Sequence, residues 1–185
     1  LTTIVPFAFD PEDSEFAKIK EFKFLNDENK HIIMHSISRK GFKGSIAFEN
    51  GYEKFKNEVG RQNRIIFRKF EKLPFSVYYE EISKSNSNFD QLYNKSLGIT
   101  ALLTMSLGKL LIAGDCSEFS KELSYPNPSY WRLKDRTANG IKESLLALNS
   151  ASSKEIQNMA NESKEYVYEY HSPKKIGSEF LEKVL

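Results

Sequence analysis

Short apolar runs alternate with longer amphipathic stretches along most of this chain. Apolar residues that recur every three or four positions mark one face of a helix, whereas short continuous runs are typical of buried strands. Strands that alternate with amphipathic helices indicate crossover connections, and therefore an α/β fold with an open parallel sheet flanked by helices. The predicted strands cover residues 31–35, 64–67, 89–90, 110–113 and 131–133, the last of them at an edge.

The predicted helices are identified by their apolar stripes. The first covers residues 45–59, and Pro74 stands in the first turn of a short second helix, where an amide would have no helical partner anyway. Gly108 closes a third helix, residues 125–128 form a proline-containing loop, and Ser172 caps the last helix. The stripes are, in chain order, Phe48, Tyr52, Phe55 and Val59; Val77, Tyr78 and Ile82; Ile99, Leu102, Leu103 and Ser106; Ile141, Leu145 and Leu148; Ile156, Met159, Ala160, Ser163, Val167 and Tyr170; and Ile176, Phe180 and Val184.

The amino-terminal part of the chain differs from the rest. Residues 1–30 are acidic and weakly patterned, so we predict a lead-in or linker segment with one short strand at 21–25. Residues 31–185 are predicted to form one domain, because a chain of 185 residues with 39% hydrophobic residues supports a single core. Because the chain begins at Leu1 rather than at methionine, we expect it to be a fragment of a longer polypeptide.

Composition excludes several classes of protein. The chain has 27 Lys and Arg against 25 Asp and Glu, a formal net charge of +2, which argues against a nucleic-acid partner. The single cysteine, Cys116, allows neither an intramolecular disulfide nor a cysteine zinc cage, and fits a reducing compartment. No stretch approaches the roughly 18 to 20 apolar residues that span a bilayer.

Charged and glycine residues follow the first predicted strand. In an open parallel sheet, ligands bind where loops and helix amino termini meet the carboxyl ends of the strands. Here Gly41 and Gly44 allow a close turn, and Arg39 with Lys43 supplies fixed positive charge before a helix. These features suit a diphosphate, although a solvated basic turn explains them equally well. The segment is not a P-loop, because the Gly-Lys-Ser/Thr ending is missing.

Two further segments lie after predicted strands. Asp90 and Gln91 directly follow a strand, where they are well placed to meet a ligand, and Gly98 permits close approach at a helix start. The alternative is that Asp90 only caps local backbone amides. After the fourth strand, Asp115 or Ser117 would cap a helix and Glu118 would reach a ligand hydroxyl or the capped backbone, with capping the favoured use.

The remaining reactive side chains predict neither a metal site nor a cofactor. His31 and His35 lie on a strand, where a four-residue spacing does not bring two imidazoles together as it does on a helix. Nothing in the sequence pairs Cys116 with a histidine base.

Together these segments resemble the C-terminal, donor-binding domain of retaining glycosyltransferases of the GT-B architecture, which has two Rossmann-like domains, and in particular the group 1 or family 4 enzymes. The similarity covers nearly the whole chain from His31 onward. It is carried by the order of His35-x-x-x-Arg39-x-x-x-Lys43-Gly44, Leu73-Pro74-Phe75-x-x-Tyr78 with Ser85 and Asp90-Gln91, the segment from Gly98 to Lys109, and Tyr170-His171-Ser172-Pro173.

This resemblance implies a nucleoside-diphosphate sugar as donor and a glycan or lipid-linked acceptor. Arg39 and Lys43 would act catalytically by holding the diphosphate, and main-chain groups near Lys72 and Leu73 would meet the nucleobase. Other expected donor contacts are Ser36, Asp90, Gln91, Ser96, Gly98 and Glu118. The acceptor would bind a missing N-terminal domain, so the fragment is expected to be inactive alone. The resemblance implies a cytoplasmic enzyme of polysaccharide biosynthesis, with peripheral attachment to the inner face of the membrane left open.

One departure from the family pattern concerns two glutamates with seven residues between them. The matching positions hold Lys95 and Leu103, so the ribose contact made by the second glutamate is absent. Related proteins with Ala-Leu-Leu-x-Met at this point suggest a subfamily variant. The departure leaves a catalytically degenerate binding or interaction module as the alternative. An unrelated Rossmann-like nucleotide binder is disfavoured, because the Gly-x-Gly-x-x-Gly fingerprint is missing.

Overall fold

The structure is a computed structural model that describes residues 6–10, 30–37 and 43–184. Within them, five strands alternate with helices. The strands are β1 (His31–Ile37), β2 (Ile65–Glu71), β3 (Ser87–Phe89), β4 (Leu110–Gly114) and β5 (Trp131–Leu133). The helices are α1 (Ser45–Val59), α2 (Phe75–Ser83), α3 (Ile99–Ser106), α4 (Ser117–Glu122), α5 (Ala138–Ser150), α6 (Ser153–Tyr170) and α7 (Pro173–Val184), and a short 3₁₀ turn, Gly60–Gln62, follows α1. The strand predicted at 21–25 lies outside the described residues.

The five strands form one sheet in the order β2-β1-β3-β4-β5, and every neighbouring pair is parallel. His31 is paired with Ile65 at the start of β1 and β2, and Gly114 with Leu133 at the end of β4 and β5. The predicted open parallel sheet and the edge position of the last strand are therefore confirmed. Because all strands point the same way, the loops after them lie along one side of the sheet, which we call the carboxyl edge.

Helices cover both faces of the sheet. On one face, Phe48 of α1 and Ile141 of α5 pack in the same buried cluster as Ile112 of β4. On the other face, Leu102 of α3 packs with Leu111 of β4. Ile112 and Leu111 are adjacent on one strand, and successive side chains of a strand point to opposite faces. The continuous apolar run of β4 is thus explained by burial on both sides.

Close helix packing depends on a glycine in α1. A Cβ added to Gly51 would lie 2.5 Å from Cγ2 of Ile141, so only a residue without a side chain lets α1 and α5 approach this far. Helices α5 and α6, which follow the sheet, each begin with a side-chain cap. The Thr137 hydroxyl accepts a hydrogen bond from the Gly140 amide, and Ser152 accepts one from the Glu155 amide.

The first helix has its predicted bounds, the other predicted stripes all lie on helices, and several predictions differ in detail. β3 begins at Ser87 rather than at Phe89, because the polar residues before Phe89 pair with β1 and β4. Pro74 precedes α2 instead of occupying its first turn. Phe180 was predicted to be buried but is 46% exposed, because α7 packs on the domain through its start, where Ile176 is buried.

A short piece of the lead-in contacts the carboxyl-terminal helices. The Phe9 side chain is buried in the core, and its amide donates to the carbonyl of His171 over 2.7 Å. The imidazole of His171 bonds through Nδ1 to the carbonyl of Phe7 over 2.9 Å. In the described part of the chain, no helix is long and apolar enough to cross a membrane.

Candidate functional site at the carboxyl edge

The carboxyl edge brings together most of the side chains that the sequence singled out. The start of α1, the loop between β3 and α3, and the start of α4 all lie there, because each directly follows a strand. Arg39, in the loop between β1 and α1, lies outside the described residues. The described candidates at this edge are Ser36, Lys43, Lys72, Leu73, Asp90, Gln91, Ser96, Gly98 and Glu118.

The start of α1 is fastened to the loop after β3. The amide of Leu92 donates to the carbonyl of Lys43 over 3.2 Å. Gly44 adopts φ 73°, and a Cβ at this position would lie 2.5 Å from Cβ of Leu92. A residue with a side chain would therefore be strained and would also collide with Leu92. This contact fixes where Lys43 stands relative to the end of β3.

Lys43 and Asp90 form a buried ion pair across the two loops. Nζ of Lys43 lies 2.8 Å from Oδ1 of Asp90, and the side chains are only 8% and 1% exposed. Burial raises the pKa of the Asp90 carboxyl, and the charge of Lys43 and its hydrogen bond oppose that effect. The structure thus joins two residues that were predicted separately. The capping alternative would require Asp90 to accept a hydrogen bond from a backbone amide. Among the hydrogen bonds described, Asp90 accepts none from an amide and contacts the Lys43 ammonium instead.

Polar side chains continue inward from Asp90. The amide nitrogen Nδ2 of Asn88 donates to the Thr104 hydroxyl over 2.9 Å, and that hydroxyl donates to the carbonyl of Thr100 over 2.8 Å. Tyr78 is buried nearby, and its pKa is raised by burial and by the negative charge of Asp90. The end of β3 is therefore polar inside a core that is otherwise apolar.

His35 supports this arrangement from β1. Its Nδ1 lies 2.9 Å from the carbonyl oxygen of Phe89, and its Nε2 lies 2.8 Å from Oγ of Ser45. A carbonyl only accepts, so Nδ1 carries the proton and Nε2 accepts from the Ser45 hydroxyl. Burial lowers the pKa of His35 to about 4, and the charge of Lys43 acts in the same direction. The imidazole is therefore neutral near pH 7.

Gly98 lies close to the ion pair. Its backbone is extended, and an added Cβ would lie 3.0 Å from Nε2 of Gln91 and 3.9 Å from Oδ2 of Asp90. An amide donor and a carboxylate oxygen thus face the same small space. The Gln91 carbonyl oxygen Oε1 accepts a hydrogen bond from Nδ2 of Asn94. Ser96, in the same loop, is half-buried. The Gln91 amide and the Ser96 hydroxyl are suited to donating hydrogen bonds to hydroxyl or phosphate oxygens, whereas the Asp90 carboxylate could only accept them from a hydroxyl.

Glu118 forms an ion pair with a lysine of the same edge. Its Oε2 lies 2.7 Å from Nζ of Lys95, and both side chains are exposed. This pairing lowers the pKa of Glu118 and raises that of Lys95. Leu103, the second position of the missing glutamate pair, is buried in the core with Tyr78. The two positions of that pair therefore lie in different environments, one exposed and one buried.

The start of α4 and the end of β5 complete the edge. Asp115 accepts a hydrogen bond from the Ser117 amide over 3.0 Å, so Asp115 and not Ser117 satisfies this helix start. Nε of Arg132 lies 3.5 Å from the same oxygen, Oδ1. The backbone bond and the neighbouring Arg132 lower the pKa of Asp115. Arg132 is a cation at this edge that the sequence did not single out, because its position depends on how β5 pairs with β4.

The loop after β2 has an unusual backbone. Lys72 adopts φ 50°, and its amide donates to the carbonyl of Ile37 over 3.1 Å. The Lys72 side chain is exposed and Leu73 is half-buried, as is Ser36 near the end of β1. In the residues that the structure describes, no group of three His, Cys, Asp or Glu side chains is placed to hold a metal ion.

Solved structures share this fold at low sequence identity. No protein-family model matches the sequence, and no curated protein matches it. The glycosyltransferase from Rickettsia africae ESF-5 superposes with a TM-score of 0.60 at 14% identity, over 96% of this chain and 54% of the other. The C-terminal domain of the group 1 glycosyl transferase LpcC from Francisella tularensis gives 0.55 at 15%, over 84% and 98%.

The same fold occurs in the N-terminal domain of trehalose-6-phosphate phosphatase from Candida albicans, with a TM-score of 0.58, 14% identity and coverage of 96% and 48%. This chain spans about half the length of the Candida and Rickettsia chains. By sheet order and layers it is a Rossmann-like α/β domain. More narrowly, it has the fold of the C-terminal domain of a GT-B glycosyltransferase, as the near-complete coverage of LpcC shows.

Proposed function

We propose that this chain is the donor-binding half of a glycosyltransferase. It would bind a nucleoside-diphosphate sugar at the carboxyl edge, for transfer of a hexose to a glycan or lipid-linked acceptor. The observation that carries this proposal is the position of Lys43 two residues before α1, on the edge where ligands of open parallel sheets bind. The fold shared with glycosyltransferases supports it.

The chemistry required of such a site is mainly electrostatic. Transfer of the sugar leaves negative charge on the departing diphosphate, and preorganised cations and helix amides stabilise that charge. The first amides of α1 have no helical partner, so the helix start favours an anion. Lys43 supplies one fixed cation, and Arg39 is proposed to supply a second. Both residues would contact the diphosphate and are proposed as catalytic residues.

The remaining contacts follow from the arrangement of loops. The backbone at Lys72 and Leu73 is proposed to meet the nucleobase. Gln91, Ser96 and Gly98 lie in the loop between β3 and α3, beside the ion pair, and are proposed to contact the sugar or the phosphates. Glu118 could serve the donor only if its ion pair with Lys95 opened.

The acceptor is proposed to bind a separate N-terminal domain. The chain spans about half of the Rickettsia glycosyltransferase, which leaves room for a second domain in a protein of that length. This chain alone would then bind donor without transferring it. We further propose a cytoplasmic role in polysaccharide biosynthesis, with peripheral attachment of the longer protein to the inner face of the membrane.

A second candidate is a glycosyltransferase-like module that has lost catalysis. Lys95 and Leu103 favour it, because they replace the two glutamates of the family pattern. The Candida domain, which shares the fold, comes from a protein named as a phosphatase. Restoring glutamate at position 103 is a poor test, since Leu103 is buried and a carboxylate there would lack a partner of opposite charge.

The proposal is tested by a thermal-shift titration with glucose conjugates of uridine, guanosine, adenosine and thymidine diphosphate. A ligand that binds only the folded state stabilises it by about 2.7 kcal/mol at 100 times its dissociation constant. We expect a saturable rise in melting temperature with one of the four compounds. No rise with any of them would favour the module that has lost catalysis.

A further inference from the structure

The Lys43 ammonium is already occupied in this structure. Its Nζ is 2.8 Å from a carboxylate oxygen of Asp90, and neither side chain is more than 8% exposed. The proposed diphosphate would need that same ammonium. A carboxylate next to it cancels part of the positive field and repels an incoming anion. Asp90 therefore influences how strongly Lys43 attracts a diphosphate.

The ion pair holds Asp90 through one oxygen only. Oδ1 contacts Lys43, whereas Oδ2 has no hydrogen-bond partner among the described residues. A buried carboxylate is stable when its charge is paired and its oxygens accept hydrogen bonds. If Lys43 turned away, Asp90 would be left buried without a cation. Protonation would remove that unpaired charge, and burial already raises the pKa of this carboxyl.

We propose that the donor diphosphate and the Asp90 carboxylate compete for the Lys43 ammonium, and that Asp90 takes up a proton when the diphosphate wins. This inference rests on the proposed donor site. On donor binding, one proton from solvent bonds to an oxygen of Asp90. No proton leaves the lysine, and no covalent bond of the donor changes. Donor binding is thereby coupled to the proton concentration.

The other titratable groups near the pair do not account for the proton uptake. Burial lowers the pKa of His35 to about 4, so it is neutral before and after binding near pH 7. Burial raises the pKa of Tyr78 and of Cys116, and the Asp90 charge raises both further, so both stay protonated. Among the described residues, the titratable side chains whose pKa is shifted by the charge of Lys43 or Asp90 are His35, Tyr78 and Cys116. Unlike these three groups, Asp90 is suited to gain a proton on donor binding.

Isothermal titration calorimetry at pH 7.5 tests this coupling directly. The four glucose conjugates are titrated in HEPES, MOPS and Tris, whose ionisation enthalpies differ. In such conjugates both phosphates are diesters, so the ligand itself does not titrate in this range. The slope of binding enthalpy against buffer ionisation enthalpy gives the number of protons taken up. We expect uptake of a large fraction of one proton by the parent protein.

Two variants sharpen the result. Asp90→Asn keeps the shape and an oxygen acceptor but carries no charge, so we expect no proton uptake and about ten-fold tighter donor binding, equivalent to about 1.4 kcal/mol. Asp135→Asn removes an exposed carboxylate that bonds the Thr137 amide, and should behave as the parent. Circular dichroism verifies that each variant is folded.

The outcomes separate this inference from the proposed function. Donor binding by the parent without buffer dependence overturns the competition. Weaker binding by a folded Asp90→Asn protein overturns it as well, since Asp90 would then position Lys43 for the donor. If none of the four conjugates binds the parent, the proposed function fails, and the inference fails with it.

Discussion

His35 and Ser45 are joined across the start of the first crossover helix. Nε2 of the imidazole lies 2.8 Å from Oγ of Ser45, and both residues are buried. Through Nδ1, the same ring also bonds the last carbonyl of β3, on Phe89. One neutral side chain therefore fixes the first residue of α1 against the strand end that precedes Asp90. This bond keeps the two loops of the candidate site in register.

Acid should weaken the fold through this histidine. The pKa of His35 is about 4 in the folded protein, against 6.5 for the ordinary imidazole. The unfolded state therefore binds more protons between these values, so stability falls as the pH drops from 6.5 towards 4. Between pH 7 and 5, His35 alone should remove about 2 kcal/mol from the free energy of unfolding.

Urea unfolding at pH 7 and pH 5 measures that loss. His35→Gln abolishes the titration at this site and should reduce the acid-induced loss by about the same 2 kcal/mol, even though the variant is less stable at pH 7. His31 remains as an internal reference, since burial lowers its pKa to about 3. An equal acid-induced loss in parent and variant would contradict the account.

A buried lysine directly before β4, at the edge opposite the carboxyl edge, should make the stability of the fold depend on pH in alkaline solution. Lys109 is fully buried, and its Nζ donates to the carbonyls of Ser83 and Ser85 over 3.0 and 2.8 Å. Burial lowers its pKa from 10.5 to about 8. Between these values the unfolded state binds more protons, so stability should rise as the pH increases from 8 to 10.

Lys109→Met tests this role. It leaves one buried and one half-buried carbonyl without this donor, which should cost about 1 to 3 kcal/mol at pH 7, and it should remove the alkaline rise in stability. Lys154→Met, at an exposed position in α6, is the matched control. Chemical denaturation at pH 7 and pH 9.5 gives both quantities. The account fails if Lys109→Met keeps the alkaline rise.

Gly98 should matter for binding rather than for folding. Its backbone is extended, which any residue adopts, and an added methyl group would meet the mobile end of Gln91 at 3.0 Å. Gly98→Ala should therefore fold with nearly parental stability and bind the donor conjugate about ten-fold more weakly, because the methyl group fills space beside Asp90. Calorimetric titration measures the affinity.

A second glycine supplies the control. An added methyl at Gly177 in α7 meets nothing within 4 Å. Gly177→Ala should raise the free energy of unfolding by up to about 1 kcal/mol, as in other helix interiors, and leave donor binding unchanged. Equal donor affinity in the Gly98→Ala and parent proteins would remove Gly98 from the site.

Exchanging the exposed residues Lys95 and Glu118 distinguishes two possible roles of Glu118: pairing with Lys95 and contacting the donor. If Glu118 only pairs with Lys95, exchanging the two residues, Lys95→Glu with Glu118→Lys, should preserve both stability and donor affinity, because exposed ion pairs contribute little. If Glu118 contacts the donor, the exchange should abolish that contact and weaken binding. Thermal shift with and without donor distinguishes the two uses.

Local periodicity was sufficient to predict most elements of the fold. The apolar stripe of α1 predicts Ser45–Val59, the bounds that the structure has. β3 was harder, because Ser87 and Asn88 are buried polar residues. Oγ of Ser87 lies 3.0 Å from Nε2 of His31, and Nδ2 of Asn88 donates to the Thr104 hydroxyl over 2.9 Å. No hydrophobic pattern reveals partners so distant in sequence, so the start of that strand was missed.

The candidate site shows the same limit. Parallel strands place the residues after each strand on one edge, so the sequence was sufficient to predict which candidate residues share that edge. The pairing of Lys43 with Asp90, and of Lys95 with Glu118, depends on side-chain positions set by tertiary packing. The exposure of Phe180 arises similarly, since a helix stripe does not show which of its residues another element covers.

The most direct test of the proposed donor site is calorimetric titration of three variants with the conjugate that binds the parent. We predict at least about ten-fold weaker binding for Lys43→Met and for Arg39→Ala, since each removes a cation from the diphosphate. Lys56→Met is the control, because Lys56 pairs with Glu53 near the far end of α1. Parental affinity in both Lys43→Met and Arg39→Ala would contradict the account.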